Sequence, residues 1–256
     1  MKPAPFKYIA ARSAEQAVAG LAAWQGSARL LAGGQSLIPL MNLRMARPAA
    51  LIDLGTCEGL SYLRREGDWI AVGPMTLQAA VEHSPLIHEC CPLVAKTMRY
   101  LGSPTIRNRG TIGGTLAHAD RVAELPGVAV ALRAQMIAQG PGGRRRTIPA
   151  EAFYVADLTT ALQPDEMLRE IRFPVAAKAH RCAFVEASNR HHDLATVGVA
   201  VSIEADTTRI VAIGIGPTPV LLDGEAEAEG DFHASAEYRR RVLQGLVKRA
   251  LAEARQ

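Results

Sequence analysis

The stretch LLAGGQSLIPLMNLRMARPAALIDLG (30–55) carries the pattern on which the prediction of the fold depends. A mainly apolar run at residues 29–32 leads directly into Gly33 and Gly34, and a second mainly apolar run follows at residues 50–54. Short apolar runs bounded by glycine are typical of buried strands. A double glycine after a strand lets backbone N–H groups converge with no Cβ in the way, which suits a diphosphate group.

A second glycine pair stands in SPTIRNRGTIGGTLAHAD (103–120). Arg107 and Arg109 precede it and can supply positive potential. Hydroxyl residues flank the two pairs, namely Ser36, Thr111 and Thr115. Each pair alone is weak evidence, because short glycine motifs also form simple turns. Neither is a GxGxxG motif or a P-loop, so the sequence gives no support for Rossmann-type NAD binding or for ATP hydrolysis.

The composition is that of a globular protein. The 256 residues are 48% hydrophobic and 21% charged, which excludes a disordered or fibrous chain. A net charge of +4 with scattered arginines and 5% aromatic residues argues against a nucleic-acid surface. We expect no transmembrane segment, and the first residues lack the apolar core of a secretory signal.

The reactive side chains form no evident catalytic or metal-binding set. Cys57, Cys90, Cys91 and Cys182 lack the spacing of a zinc or iron–sulfur site, which predicts reduced thiols in a cytoplasmic protein. His191-His192-Asp193 is interpreted as a solvated loop, because adjacent histidines lack ligand spacing. We nominate no catalytic residue and no metal ligand.

The sequence predicts an alternation of strands and helices, then an antiparallel sheet after a boundary near residues 174–180. Ser13 caps a first helix, with Gln16 as its capping-box partner. Residues 105–118 are expected to be irregular, and 124–134 helical. Predicted strands cover residues 6–10, 29–32, 50–54, 61–65, 69–73, 135–138, 145–148, 167–173, 182–187, 195–204 and 210–215. A last helix should dock through Tyr238, Val242, Leu246 and Ala250, with arginines 239–241 mainly on the other side.

The two glycine motifs closely resemble those of the flavin-binding medium subunit of molybdenum hydroxylases, the carbon monoxide dehydrogenase and xanthine dehydrogenase family. The similarity continues through TTALQPDEMLREIRFP (159–174), ATVGVAV (195–201), GIGPTPV (214–220) and the C-terminal helix. It covers nearly the whole chain, and the order and context of the two motifs are highly specific.

The resemblance implies an α+β chain with two lobes. Residues 1–175 would form an FAD-binding fold of the vanillyl-alcohol-oxidase (PCMH) type, with subdomains at about 1–56 and 57–175. Residues 176–256 would form a small α+β domain with an antiparallel sheet, shortened between GPTPV and SAEYR by about one or two helices.

The resemblance also implies noncovalent FAD and an electron-transfer role within a cytoplasmic complex. A large molybdopterin subunit and a small subunit with [2Fe-2S] clusters would be the partners, as a dimer of heterotrimers. Electrons would pass from the clusters through FAD to an external acceptor. The implied FAD-binding residues are Leu31, Ala32, Gly33, Gly34, Gln35, Ser36, Leu37, Leu101, Thr111, Ile112, Gly113, Gly114, Thr115, Asp120, Glu124 and Leu168.

One further departure from the family keeps alternatives open. Some relatives carry a lysine near the flavin where Val185 and Glu186 stand here. This change and the shortened C-terminal segment leave two other functions to consider. One is a free-standing FAD-dependent dehydrogenase or oxidase, and the other is a non-catalytic FAD-binding assembly subunit.

Overall fold

The computed structural model describes residues 2–190, 192–205, 207–224 and 226–256. Its first part is a three-stranded parallel sheet in the order β1-β3-β2, with one helix in each connection. The elements are β1 (Lys7–Ala10), α1 (Ala14–Ala23), β2 (Ala28–Leu31), α2 (Leu37–Asn42) and β3 (Ala50–Asp53). The three strands predicted here are therefore present, each with small differences at its ends.

Helix α1 packs on this sheet through residues spaced at helical intervals, namely Ala14, Ala17, Val18 and Leu21. The Ser13 hydroxyl caps the helix by accepting from the Gln16 N–H at 3.3 Å. The Gln16 side chain accepts from the Arg12 N–H rather than from that of Ser13. The Ser13 half of the predicted capping box is therefore present, but the Gln16 side chain binds the N–H one residue before the expected one.

The second part is a five-stranded antiparallel sheet in the order β4-β5-β10-β6-β7, with helices between β5 and β6. A separate two-stranded ribbon joins β8 to β9. In chain order the elements are β4 (Leu63–Glu66), β5 (Trp69–Val72), α3 (Gln78–Glu82), α4 (Pro85–Cys90), α5 (Pro92–Met98), α6 (Pro104–Arg107), α7 (Ile112–His118), α8 (Glu124–Ala131), β6 (Gln135–Gln139), β7 (Arg145–Pro149), α9 (Ala150–Phe153), β8 (Tyr154–Ala156), β9 (Thr159–Thr160) and β10 (Met167–Pro174).

The prediction that residues 105–118 are irregular was wrong. This segment holds α7 and most of α6, each begun by a hydroxyl cap. The Ser103 hydroxyl accepts from the Ile106 N–H, and the Thr111 hydroxyl accepts from the Gly114 N–H. Such caps satisfy N–H groups that a helix start leaves unpaired, and here they offset the low helix propensity of Gly113 and Gly114.

The third part is a four-stranded antiparallel sheet in the order β11-β12-β13-β14, followed by one long helix. Its elements are β11 (Arg181–Ser188), β12 (Ala195–Glu204), β13 (Thr207–Ile213), β14 (Val220–Leu221) and α10 (Ala236–Ala254). One face of the sheet packs on α10, and the other shares a core with α5 and α8. All eight residues of α8 are buried, because it lies between this sheet and the rest of the chain.

The docking face predicted for α10 was correct for Leu246 and Ala250, which are buried, and for Val242, which packs against the same core, but wrong for Tyr238. The buried side consists of Arg239, Leu243, Leu246, Ala250 and Ala254, whereas Tyr238 is 54% exposed. Arg239 was expected on the outer side but is 1% exposed. Its guanidinium donates to the carbonyl oxygens of Thr196 and Gly214 and to the Asp231 carboxylate. These acceptors explain why an arginine can be buried at this position.

The four cysteines Cys57, Cys90, Cys91 and Cys182 are free thiols. Of the His191-His192-Asp193 segment, His191 lies outside the described residues, so the solvated-loop interpretation stays a prediction. Within the described part of the chain, no helix has both the length and the apolarity needed to cross a bilayer.

Candidate functional site

The two glycine loops, residues 32–36 and 111–115, lie against one another. A Cβ built on Gly33 would stand 2.2 Å from the carbonyl oxygen of Arg109 and 2.9 Å from the Cα of Gly110. A Cβ on Gly114 would stand 3.5 Å from the Cβ of Ala32. These separations leave no room for a side chain at Gly33, so its glycine is what allows the two loops to touch.

The first loop offers a row of free donors. Within the described residues, none of the backbone N–H groups of residues 33–37 donates to a protein acceptor. The first engaged N–H is that of Ile38, which donates to the Gly34 carbonyl oxygen at 3.2 Å. Gly34 has a φ of +73°, the conformation in which successive N–H groups turn toward one side. These five adjacent N–H groups have no protein acceptor among the described residues, and they lie beside a backbone contact that no side chain occupies. This arrangement fits the diphosphate of FAD.

The second loop differs because its backbone donors already have partners. The N–H groups of Ile112 and Gly113 donate to the carbonyl oxygens of Thr76 and Pro74, both at 2.9 Å. The N–H groups of Gly114 and Thr115 donate to the hydroxyl and carbonyl oxygens of Thr111, at 3.0 and 3.1 Å. What this loop can still offer a ligand is close approach at Gly114 and the half-buried hydroxyl of Thr115.

Arg107 does not supply the positive potential that the sequence suggested. It is 6% exposed, and its guanidinium donates to the Glu82 carboxylate at 2.8 Å and to the carbonyl oxygens of Leu101 and Gly102. Its charge is therefore used to hold the chain between α5 and α6 in place. Arg109 is exposed beside Gly33 and remains available to an anion.

The other predicted residues fall into two groups. Leu101, Ile112 and Leu168 share one hydrophobic core cluster, at 3%, 1% and 5% exposure. Asp120 lies in the turn before α8, where its carboxylate accepts from the Val122 N–H, and Glu124 is the first residue of α8. The structure brings the loop residues together, namely Leu31, Ala32, Gly33, Gly34, Gln35, Ser36, Leu37, Thr111, Gly113, Gly114 and Thr115.

Two carboxyl groups, that of the buried Glu124 and that of the partly buried Glu186, lie where α8 meets the third sheet. Gly127 lies one turn along α8 from Glu124, and Gly198 is the partner of Glu186 in the strand register. A Cβ built on either glycine would touch the Ile213 side chain. Burial, reinforced by Asp120, raises the pKa of Glu124 to about 7. Burial, reinforced by Glu124, raises the pKa of Glu186 to about 8. Both carboxyl groups therefore keep their protons up to a pH well above the range in which an ordinary carboxyl group ionises.

This pair predicts a pH-dependent stability. The unfolded chain loses the Glu186 proton near pH 4.5, but the folded chain keeps it until about pH 8. The free energy of unfolding should therefore fall as pH rises through this window. Glu186→Gln should remove part of that fall and be more stable than wild type by about 1–2 kcal/mol at pH 8, with no gain at pH 4. Urea unfolding at both pH values measures the difference.

The exposed Glu89 on α4 provides the matched control. Glu89→Gln should change the free energy of unfolding by no more than about 0.5 kcal/mol at either pH value, because its side chain lies on the exposed surface. An equal response of the two variants would contradict the assignment of a partly buried Glu186 that keeps its proton at neutral pH.

Gln78, the first residue of α3, was missed by the sequence analysis. It is 5% exposed, and its side-chain Nε2 donates to the Thr115 hydroxyl oxygen at 2.7 Å. Its position three residues before the buried Val81 was the available signal, because that spacing places both on one helix face. A polar residue on a buried face indicates a specific partner.

Comparisons with known proteins agree with this geometry. Residues 4–176 match the family described as "FAD binding domain in molybdopterin dehydrogenase". The 6-hydroxypseudooxynicotine dehydrogenase complex subunit alpha of Paenarthrobacter nicotinovorans is 36% identical, over 99% of this chain and 96% of that protein. The carbon monoxide dehydrogenase medium chain of Hydrogenophaga pseudoflava is 33% identical, over 98% and 97%.

Solved structures show the same fold. Carbon monoxide dehydrogenase from Hydrogenophaga pseudoflava matches with a TM-score of 0.94 and 34% identity, covering 99% of this chain and 98% of that one. Quinoline 2-oxidoreductase from Pseudomonas putida 86 matches with a TM-score of 0.92 and 27% identity, covering 99% and 98%. These matches confirm the predicted fold class, an FAD-binding fold followed by a small α+β domain.

Proposed function

The chain belongs to the family of FAD-binding domains of molybdopterin dehydrogenases, and from this we propose that it is the FAD-carrying, electron-transferring subunit of a molybdenum hydroxylase complex. The observation that carries the proposal is the contact between the two glycine loops, with five free N–H donors beside it. FAD, when bound, supplies the redox chemistry, while the chain supplies binding, orientation and electrostatics.

Each group of residues has a defined part in this proposal. The N–H groups of residues 33–37 hold the diphosphate, and the Thr115 hydroxyl adds a donor from the second loop. Leu101 and Leu168 contribute apolar surface from the core below. Glu124 and Asp120 place carboxyl groups at the start of α8. Glu186, in place of a lysine, brings no positive charge to this region.

The same proposal covers the assembly and the division of the chain. A large molybdopterin subunit and a small [2Fe-2S] subunit are the partners, as a dimer of heterotrimers in the cytoplasm. The relatives' names, medium chain and complex subunit, support such an assembly, and the free thiols are in keeping with a reducing compartment. The FAD-binding domain ends near residue 175, and the family match ends at 176. The domain at 176–256 is shortened.

The test uses anaerobic mixing of the FAD-loaded chain with its reduced iron–sulfur subunit. We expect the flavin absorption to bleach on mixing, because the chain receives electrons from the clusters. We also expect no dye reduction when the chain alone is given aldehydes or nitrogen heterocycles. Acid precipitation should leave the FAD in the supernatant, since no cysteine or histidine stands in the first loop.

Each rival has its own signature in the same experiment. Substrate-dependent dye reduction by the chain alone would establish a free-standing flavoenzyme. Bound FAD that the reduced partner does not bleach would indicate an assembly subunit. Flavin that stays with the acid pellet would contradict noncovalent binding, and His118, at the end of α7, would then be the first residue to test.

A further inference from the structure

Gln78 holds the second glycine loop at both ends. Its backbone N–H donates to the Gly110 carbonyl oxygen at 2.9 Å, and its side-chain Nε2 donates to the Thr115 hydroxyl oxygen at 2.7 Å. A Cβ on Gly110 would lie 2.7 Å from the Gln78 Oε1, so that glycine leaves room for the amide. Gly33 packs on the other side of Gly110. One buried side chain therefore sits directly beneath the contact between the two loops.

The direction of the Gln78–Thr115 hydrogen bond decides what Thr115 can do. An amide nitrogen only donates, so the Thr115 oxygen accepts this bond, and its own hydrogen must point to another group. No described residue accepts that hydrogen. The backbone N–H groups of residues 112–115 are all engaged within the protein, and Thr111 is buried as the cap of α7. The Thr115 hydroxyl is thus the donor that this loop can direct at a ligand.

The Gln78 amide also keeps an unused function. Its Oε1 is buried and has no hydrogen-bond partner among the described residues. This oxygen faces the backbone of Gly110, where an added Cβ would lie 2.7 Å from it, so the amide turns its donating Nε2 toward Thr115. The contact that this pair can make with a ligand is therefore the one from the Thr115 hydroxyl. The diphosphate of FAD offers acceptor oxygens for that hydrogen.

We propose that Gln78 is a positioning residue of the FAD site, which orients the Thr115 hydroxyl so that it donates to the diphosphate. This inference rests on the proposed function, because it assumes that FAD binds between the two loops. It adds a residue outside both loops and gives Thr115 a single hydrogen-bonding role. Gln78 acts through Thr115, so removing it should matter only while the Thr115 hydroxyl is present.

A double-mutant cycle on the full-length apoprotein tests this coupling. The dissociation constant for FAD is measured by flavin fluorescence quenching for wild type, Gln78→Met, Thr115→Val and the double variant. We expect Thr115→Val to weaken binding about 10- to 100-fold, as for a lost charge-assisted hydrogen bond. Gln78→Met should weaken it about 10-fold in wild type and leave it unchanged in the Thr115→Val background.

Two further variants keep the test decisive. Gln139 is the matched control: it is 1% exposed, has an unpartnered Oε1, and joins β6 to Glu15 of α1. Gln139→Met should bind FAD like wild type. Gln78→Glu keeps the side-chain shape, but its carboxylate only accepts and would draw the Thr115 hydrogen inward. It should weaken FAD binding more than Gln78→Met does.

The outcomes separate this inference from the proposed function. Wild-type affinity in Gln78→Glu, or an equal effect of Gln78→Met with and without the Thr115 hydroxyl, would overturn the positioning role alone. A wild-type chain that does not bind FAD would overturn the proposed function instead. Thermal unfolding of each apoprotein shows whether a change in affinity reflects the site or the fold.

Discussion

Gly33→Ala is expected to leave the purified chain nearly free of flavin while its fold is retained. The added Cβ would lie 2.2 Å from the Arg109 carbonyl oxygen, a backbone atom that cannot rotate away. The two loops must then separate, and the free N–H row of residues 33–37 moves with the first of them. We expect the FAD affinity to fall at least about 100-fold, equal to roughly 2.7 kcal/mol or more. The flavin-to-protein ratio, read together with far-ultraviolet circular dichroism, measures the loss.

The control for Gly33 is Gly245, an exposed glycine on α10 with no atom near its Cβ position. Gly245→Ala should keep its FAD and gain about 0.5–1 kcal/mol of stability, as alanine does in a helix. Gly114→Ala should lie between the two, because its Cβ would crowd the Thr111 hydroxyl oxygen at 2.8 Å but would meet the Cβ of Ala32 at an ordinary contact distance of 3.5 Å. A Gly33→Ala protein that carries FAD as wild type does would refute the placement of the site at the loop contact.

Among the single substitutions proposed for this chain, Arg239→Ala is expected to lower the free energy of unfolding the most. The alanine leaves the carbonyl oxygens of Thr196 and Gly214 buried without their donor and the Asp231 carboxylate without its counter-ion. Two carbonyl oxygens left without a donor and a partly exposed carboxylate left without its counter-ion together cost about 3–5 kcal/mol. For a chain of this size the melting temperature should fall by about 10 °C. Calorimetry or urea unfolding measures the change.

Arg240, the next residue along α10, is the matched control because it is exposed. Arg240→Ala should change the free energy of unfolding by no more than about 0.5 kcal/mol. Equal effects at the two positions would show that the Arg239 contacts contribute little.

The pH dependence of stability through Asp231 gives a further check of the Arg239 contacts. Burial opposes its ionisation, but hydrogen bonds from Arg239 and from the His233 and Ala234 N–H groups hold its pKa at about 2. This stabilisation should be present above pH 4 and lost as pH falls toward 2.

The sequence predicted the strands well, because the apolar runs and the glycine turns are local signals. It also predicted that the two glycine loops contribute to one site. It could not show that Gly33 packs against the backbone of Arg109; from the sequence, only a contact between Gly33 and a ligand was expected. That contact joins residues about 75 positions apart and depends on how the first sheet packs against the helices between β5 and β6, which no local pattern encodes.

The wrong predictions for individual charged side chains share one cause: a charged or polar side chain was expected at the surface because of its type alone. Arg107 and Arg239 were expected to face solvent or a ligand, yet both bind backbone carbonyl groups in the interior. Arginine has five donors in a rigid fork, so it can satisfy several carbonyl oxygens at once. Gln78 was overlooked for a related reason, since its partner Thr115 is 37 residues away.

Helix α8 has a mechanical consequence for electron transfer. All of its residues are buried between the third sheet and the rest of the chain, so the sheet cannot swivel without opening the core. Electron tunnelling slows steeply as the gap between redox centres widens. A subunit that passes electrons between other molecules therefore benefits from a stiff frame. The buried α8 supplies this stiffness within the chain, because it packs the third sheet and the rest of the chain into one core.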